Sequence, residues 1–237
     1  MAISHYIDGD LALNIARGVT RASNIHKFGA VPAMSQNQTG TIWDVSDTTY
    51  PWSAFDTAGI LVAAQANASD NNKTVVVIGL DSDYNEISEE FTLSSSGTVD
   101  GTSIFKRVYR AYMTDGDNVG NVSFSRGGTE VLRITAGKSQ TLMAIYTVPA
   151  GYTAYLMQGV GTIQSGADAT GNMFVRYAGQ SAFRIGHTFE VSGGGQYTYN
   201  FAVPMAIPAK SDIDVRATVR SNNARFTAAF DIILIPN

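Results

Sequence analysis

Asp212-Ile213-Asp214-Val215-Arg216-Ala217-Thr218-Val219-Arg220 alternates polar and apolar residues without a break. A helix repeats its faces every ~3.6 residues and a strand every two, so only a β-strand sorts these side chains onto separate faces. The face carrying Ile213, Val215, Ala217 and Val219 is expected to be buried, and the opposite face wet. Short β-rich runs recur along the chain, over residues 75–80, 86–93, 104–113 and 119–124. Turn clusters such as Asp81-Ser82-Asp83-Tyr84-Asn85 and Asp115-Gly116-Asp117-Asn118 separate them. Helical periodicity is nearly absent. Its best candidate spans residues 10–19, where Leu11, Leu13, Ile15 and Val19 fit a strand equally well.

The pattern predicts an all-β chain of two β-sandwich modules preceded by an extended N-terminal arm. Residues 1–40 mix single apolar residues with Asn24, Gly29, Pro32, Asn37 and Gly40, which reads as extended chain with little core of its own. Residues 41–126 form the first module. Gly127-Gly128 stands between two β-rich regions and is read as the linker. The second module, residues 127–237, contains eight runs, over 131–134, 141–148, 152–163, 172–178, 183–191, 197–203, 212–219 and 225–235. Eight is the strand number of a jelly roll.

The chain has 237 residues, no cysteine and a net charge of -4, with its 16 basic residues scattered. Phosphate binding needs clustered Lys and Arg, so nucleic acid is not an expected partner. Without cysteine there is no disulfide, thiolate nucleophile or Cys-based zinc site. No apolar run approaches the ~20 residues that cross a bilayer, so no membrane partner is expected.

No catalytic, metal or cofactor site emerges from the motifs. Ala136-Gly137-Lys138-Ser139 ends like a phosphate loop, but Leu132 stands where the motif's first glycine belongs, and the segment reads as a turn. Asp81, Asp83 and Asn85 match the first ligand positions of a calcium loop, yet Glu86 replaces its glycine and Thr92 its bidentate Glu. His5, His26 and His187 are far apart, and Glu89-Glu90 point to opposite faces of a strand.

The candidate sites are therefore surfaces. Leu11, Leu13, Ile15, Phe28 and Trp43 are the residues with which the arm would dock on another protein. Trp43, Tyr50 and Trp52 flank Pro51, where aromatic rings either pin the arm to the first module or line a sugar platform, burial being the commoner use. Tyr152, Tyr155, Asp168 and Asn172 form a candidate glycan or partner surface, provided that the turn after Gly161 brings them together. Tyr197, Tyr199 and Phe201 share one strand face and suit a core or a subunit interface.

Several blocks carry a resemblance. Ile25-His26-Lys27-Phe28-Gly29, Thr41-Ile42-Trp43-Asp44, and Gly79-Leu80-Asp81 with Tyr84-Asn85-Glu86 resemble the opening module of structural proteins of tailed bacteriophages, especially those of aquatic bacteria. Phe105-Lys106-Arg107-Val108-Tyr109-Arg110, Asn118-Val119-Gly120-Asn121-Val122, Ile145-Tyr146-Thr147-Val148-Pro149-Ala150-Gly151 and Pro208-Ala209-Lys210-Ser211-Asp212-Ile213 continue it. The resemblance implies a non-enzymatic virion structural protein, the absence of cysteine suits assembly in the host bacterial cytoplasm, and the expected role is that of a tail, collar or fibre-attachment component, or a capsid decoration protein. Its implied partners are other virion proteins and further copies of itself in a symmetric assembly. The alternative is a lectin-like module that binds carbohydrate on the host surface.

Overall fold

The computed structural model describes residues 11–237, in which the chain is all-β with antiparallel pairing throughout. One sheet sets β1 (Ser23–Met34), β16 (Ala224–Pro236), β11 (Tyr152–Ile163) and β14 (Gln196–Ile207) side by side in that order. A second runs β10 (Ile145–Thr147), β15 (Asp212–Val219), β12 (Asp168–Arg176), β13 (Arg184–Ser192), with β2 (Thr39–Thr41) also on β15. A third sheet orders β6 (Val99–Asp100), β3 (Val62–Gln65), β8 (Val122–Arg126) and β9 (Thr129–Ile134). The fourth orders β5 (Glu86–Thr92), β4 (Thr74–Leu80) and β7 (Arg107–Met113).

Alternation fixes what each strand buries. Ile213, Val215, Ala217 and Val219 of β15 face inward, as do Phe226, Ala228, Phe230, Ile232 and Leu234 of β16. The first two sheets meet through such residues: the Phe189 ring of β13 lies 6.4 Å from that of Phe226 on β16. The third and fourth sheets meet through Phe91 of β5 and Phe124 of β8, edge to face at 5.1 Å.

One strand position of the second sheet is split in the sequence. β2 pairs with residues 216–218 of β15 and β10 with residues 212–214. Val215 closes the gap, since its carbonyl accepts from Ile42 N–H at 2.8 Å and its N–H donates to Ala144 O at 3.1 Å. Ala144 N–H in turn donates to Ile42 O at 2.8 Å. The chain leaves the ladder at Ile42, builds the third and fourth sheets, and returns at Ala144. Gly29 of β1 presses on this neck: a Cβ there would lie 2.1 Å from Ile42 O and 2.5 Å from Ala144 N.

Three expectations are corrected. Residues 23–34, read as arm, form β1, which pairs with β16 from Ser23 to Met34 and buries Val31 and Met34. Single apolar residues among small ones are what a strand shows when it packs closely on a neck of backbone. Gly127-Gly128 is no linker but the two-residue turn of the β8–β9 hairpin, with φ of 56° and 81°. Paired glycines serve such turns because both residues need positive φ. Residues 131–134 accordingly pair with β8 in the third sheet and not with the strands of residues 145–236. The arm's first ten residues, His5 among them, lie outside the described residues.

Candidate functional site: the junction beneath the inserted sheets

The outer face of β15 is not wet at its first two polar positions. Asp212 and Asp214 are buried there, under the segment inserted between β2 and β10. Asp212 accepts from Arg107 of β7 through Nε at 2.8 Å and Nη2 at 3.2 Å. Arg176 of β12 donates to it through Nε at 2.9 Å and Nη2 at 2.6 Å, and Thr147 Oγ1 at 2.6 Å. Asp214 accepts from Thr41 Oγ1 at 2.8 Å, Trp52 Nε1 at 2.9 Å and Arg216 Nε at 2.9 Å. Each carboxylate thus has both oxygens occupied, which a charge needs in order to remain buried.

Aromatic rings line the gaps between these charges. The Trp52 ring has Arg107 at 5.6 Å and Arg176 at 5.3 Å, and Phe183 has Arg176 at 4.6 Å and Arg216 at 4.7 Å. Burial raises the Asp214 carboxyl above its ordinary range, against Arg216, Trp52 and Thr41, which favour the anion. The residues come from β2, β7, β10, β12, β15, the turn at Trp52 and Phe183 just before β13, so the cluster ties the inserted sheets to the second sheet.

Two further buried ionisable groups flank the neck. Lys27 of β1 donates from Nζ to Tyr109 O of β7, and burial, with the Arg110 charge added, lowers its ammonium to about 7. Asp44, just past the neck, accepts from Thr135 Oγ1 at 2.8 Å, and burial raises it to about 6.

The residues singled out in the sequence distribute differently. Leu11 and Leu13 lie on a short helix, α1 (Leu11–Ala16), and are 64% and 46% exposed, while Ile15 is buried. Ile15 shares a groove with Asn24, Met157 and Ile233, so the helix lies on β1, β11 and β16. Phe28 is half-buried in β1 with its ring 5.5 Å from His26. Trp43 is buried at the neck, edge to face with Tyr50 at 5.1 Å, and Tyr50 lies 4.8 Å from Trp52. Those aromatics pack the junction and offer no arm surface.

The glycan set does not converge. Tyr152 and Tyr155 belong to β11 in the first sheet, Asp168 and Asn172 to β12 in the second. Tyr155 and Asn172 alternate with buried neighbours, Ala154 and Leu156 in one case and Met173 in the other, so they point away from the shared core on opposite sides. Asp81 is occupied within its own turn, accepting from the N–H groups of Asp83 and Asn85, each at 2.9 Å. Sequence reasoning missed Arg107, Arg176, Asp212, Asp214 and Arg216. The available signal was Asp212, Asp214 and Arg216 at spacing two, which stacks opposite charges on one face of one strand.

Among the described residues no helix is long and apolar enough to cross a membrane. No protein-family model matches the chain, and no curated protein matches it. Similar solved structures include the T13 particle of infectious bursal disease virus, at 8% identity over 90% of this chain and 69% of that one, TM-score 0.25. They also include the Gx strain of that virus, at 8% identity over 91% and 72%, TM-score 0.26. Its VP2 subviral particle matches at 8% identity over 92% and 73%, TM-score 0.23. At these scores the likeness does not extend to a shared fold.

Proposed function

We propose that the chain is a non-enzymatic structural subunit of a tailed-phage virion, a tail, collar or fibre-attachment component or a capsid decoration protein, and that it works as a rigid body binding other virion proteins. The junction carries this reading. Two buried carboxylates hold three ion pairs there beside the rings of Trp43, Tyr50 and Trp52, and the Arg107–Asp212 pair and the Trp52–Asp214 hydrogen bond join the inserted sheets to the second sheet, where they resist relative motion of the two halves. A subunit repeated by symmetry needs such rigidity, because each copy must present the same surface at the same angle. The resemblance of the sequence blocks to phage structural proteins supplies the location.

The first two sheets, in this reading, are the halves of a jelly roll. Taking β2 and β10 as one strand, the chain visits eight positions, and the orders β1-β16-β11-β14 and β10-β15-β12-β13 arise as it passes back and forth between sheets. The test is a cryo-EM map of the phage particle that encodes the chain, with quantitative mass spectrometry of purified particles. A fixed copy number and density matching the two linked halves are expected. Absence of the chain from intact particles would refute the proposal.

A further inference from the structure

Strand β14 is the outermost of its sheet, and among the described residues it pairs with β11 alone. Ile163 N–H donates to Gly195 O at 3.3 Å. Successive residues of an antiparallel strand turn their backbone groups to opposite sides, so those of Gln196, Thr198 and Asn200 point away from β11. Natural edges of this kind are blunted by charge, proline or a bulge. The far half of β14 follows that rule: its register jumps from Asn200 opposite Gln158 to Met205 opposite Leu156, and the skipped residues include Pro204. Residues 196–200 have none of these protections, and all twelve residues of β14 lack a charged side chain.

We infer that residues 196–200 of β14 pair antiparallel with the same residues of a second copy across a twofold axis at Thr198. A strand that pairs with itself sets each side chain against one from its own sequence, so charges of one sign would repel, and a charge-free edge escapes this. In that register Thr198 faces the second copy's Thr198, Tyr197 faces its Tyr199 and Gln196 its Asn200. Thr–Thr and aromatic pairs are favourable cross-strand neighbours. The outward backbone groups of Gln196, Thr198 and Asn200 form about six hydrogen bonds across the axis.

The side chains extend the contact. Tyr197 stacks on Phe189 at 4.7 Å, and Tyr199 lies 4.7 Å from both His187 and Phe201. The pairing joins this row to its copy. Tyr199 is 40% exposed, and beyond it Ile185 and Val203 are 58% and 82% exposed. On β13 and β14 every residue except Val191 and Ile207 is at least partly open. That is close to the ~20 residues a standard interface takes from each side. The inference rests on this edge and stands apart from the virion reading.

Sedimentation of the full chain over a wide concentration range, with cross-linking, tests it. The wild type is expected to form dimers, and Thr198→Lys and Thr198→Glu each to remain monomeric, with thermal melts matching the wild type's at concentrations where it too is monomeric, because Thr198 is exposed. Mixing the two variants restores the dimer by opposing their charges. The chain has no cysteine, so Thr198→Cys provides a single thiol at a Cα separation of ~5.5 Å from its copy, within disulfide reach. It is expected to oxidise to a covalent dimer, whereas Thr98→Cys, exposed on the inserted segment, does not. A wild type that is monomeric throughout, or a dimer indifferent to Thr198→Lys and to mixing, overturns the inference.

Discussion

Arg107 Nε lies 2.8 Å from Asp212 Oδ1, although the two residues are 105 positions apart and belong to different sheets. Asp212 also holds Arg176, so the carboxylate is the hub and each guanidinium a spoke. Removing the hub strands one buried cation, Arg107, and one partly buried cation, Arg176. Asp212→Ala is therefore expected to cost about 3–5 kcal/mol, the scale of a broken buried pair. Arg107→Met leaves Asp212 paired with Arg176 and Thr147 and should cost distinctly less. Urea denaturation of both variants checks the order.

Lys27 gives stability a pH dependence of definite sign. The folded protein releases its proton near 7, whereas the unfolded chain holds it to about 10.5. Between those values the unfolded state binds more protons, so stability rises with pH through this window and the penalty is full below it. Asp44 acts lower and in the opposite direction. Its folded form keeps a proton to about 6 against an ordinary 3.8, so stability falls as pH rises from 3.8 to 6. Unfolding free energies measured across pH should lose the upper slope in Lys27→Met and the lower one in Asp44→Asn.

Two glycine sites should respond differently to substitution. Gly29→Ala drives a methyl into the Ile42 and Ala144 backbone, and overpacking that nothing flexible can relieve is expected to cost more than 3 kcal/mol, beyond the ~1–3 kcal/mol of an ordinary overpacked core. Gly128→Ala meets no atom within 4 Å but must hold a φ of 81°, so its cost is conformational, roughly 1–2 kcal/mol. Gly128→Asn should be nearly neutral, since Asn tolerates the left-handed region. Thermal melts separate the three.

Val215→Asp places an unpaired carboxylate in the shared core and should cost several kcal/mol. Thr218→Asp lies on the outer face of β15, past the Asp212 and Asp214 cluster, where Thr218 meets Thr39 Oγ1 at 2.6 Å near solvent. Its effect should stay near or below about 1 kcal/mol. Equal destabilisation, measured by chemical denaturation, would mean that the whole outer face is covered.

Legibility in the sequence followed the range of the signal. Alternation is local, so residues 152–163 and 212–219 were read with the bounds that β11 and β15 have. Gly127-Gly128 misled because a glycine pair marks a hairpin turn and a linker alike, and only the partner strand distinguishes them. β1 was hidden because two of its four buried positions, Lys27 and Gly29, face a buried carbonyl and a backbone neck, and neither residue reads as core. The polar face of β15 was legible as polar, but its burial depended on Arg107 and Trp52, and no local pattern places those above it.

The split ladder position bears on the order of folding. Bringing Ile42 to Ala144 closes a loop of about a hundred residues, an entropic cost on the order of 4 kcal/mol for an otherwise free chain. Strands β3 to β9 pair only among themselves, so they form without β15 and, in doing so, draw the two ends of the loop together. The remaining search is then short: β15 meets β2 and β10 already abutting, as though no interruption lay between them, and the effective sequence separation of these contacts is that of a much smaller protein.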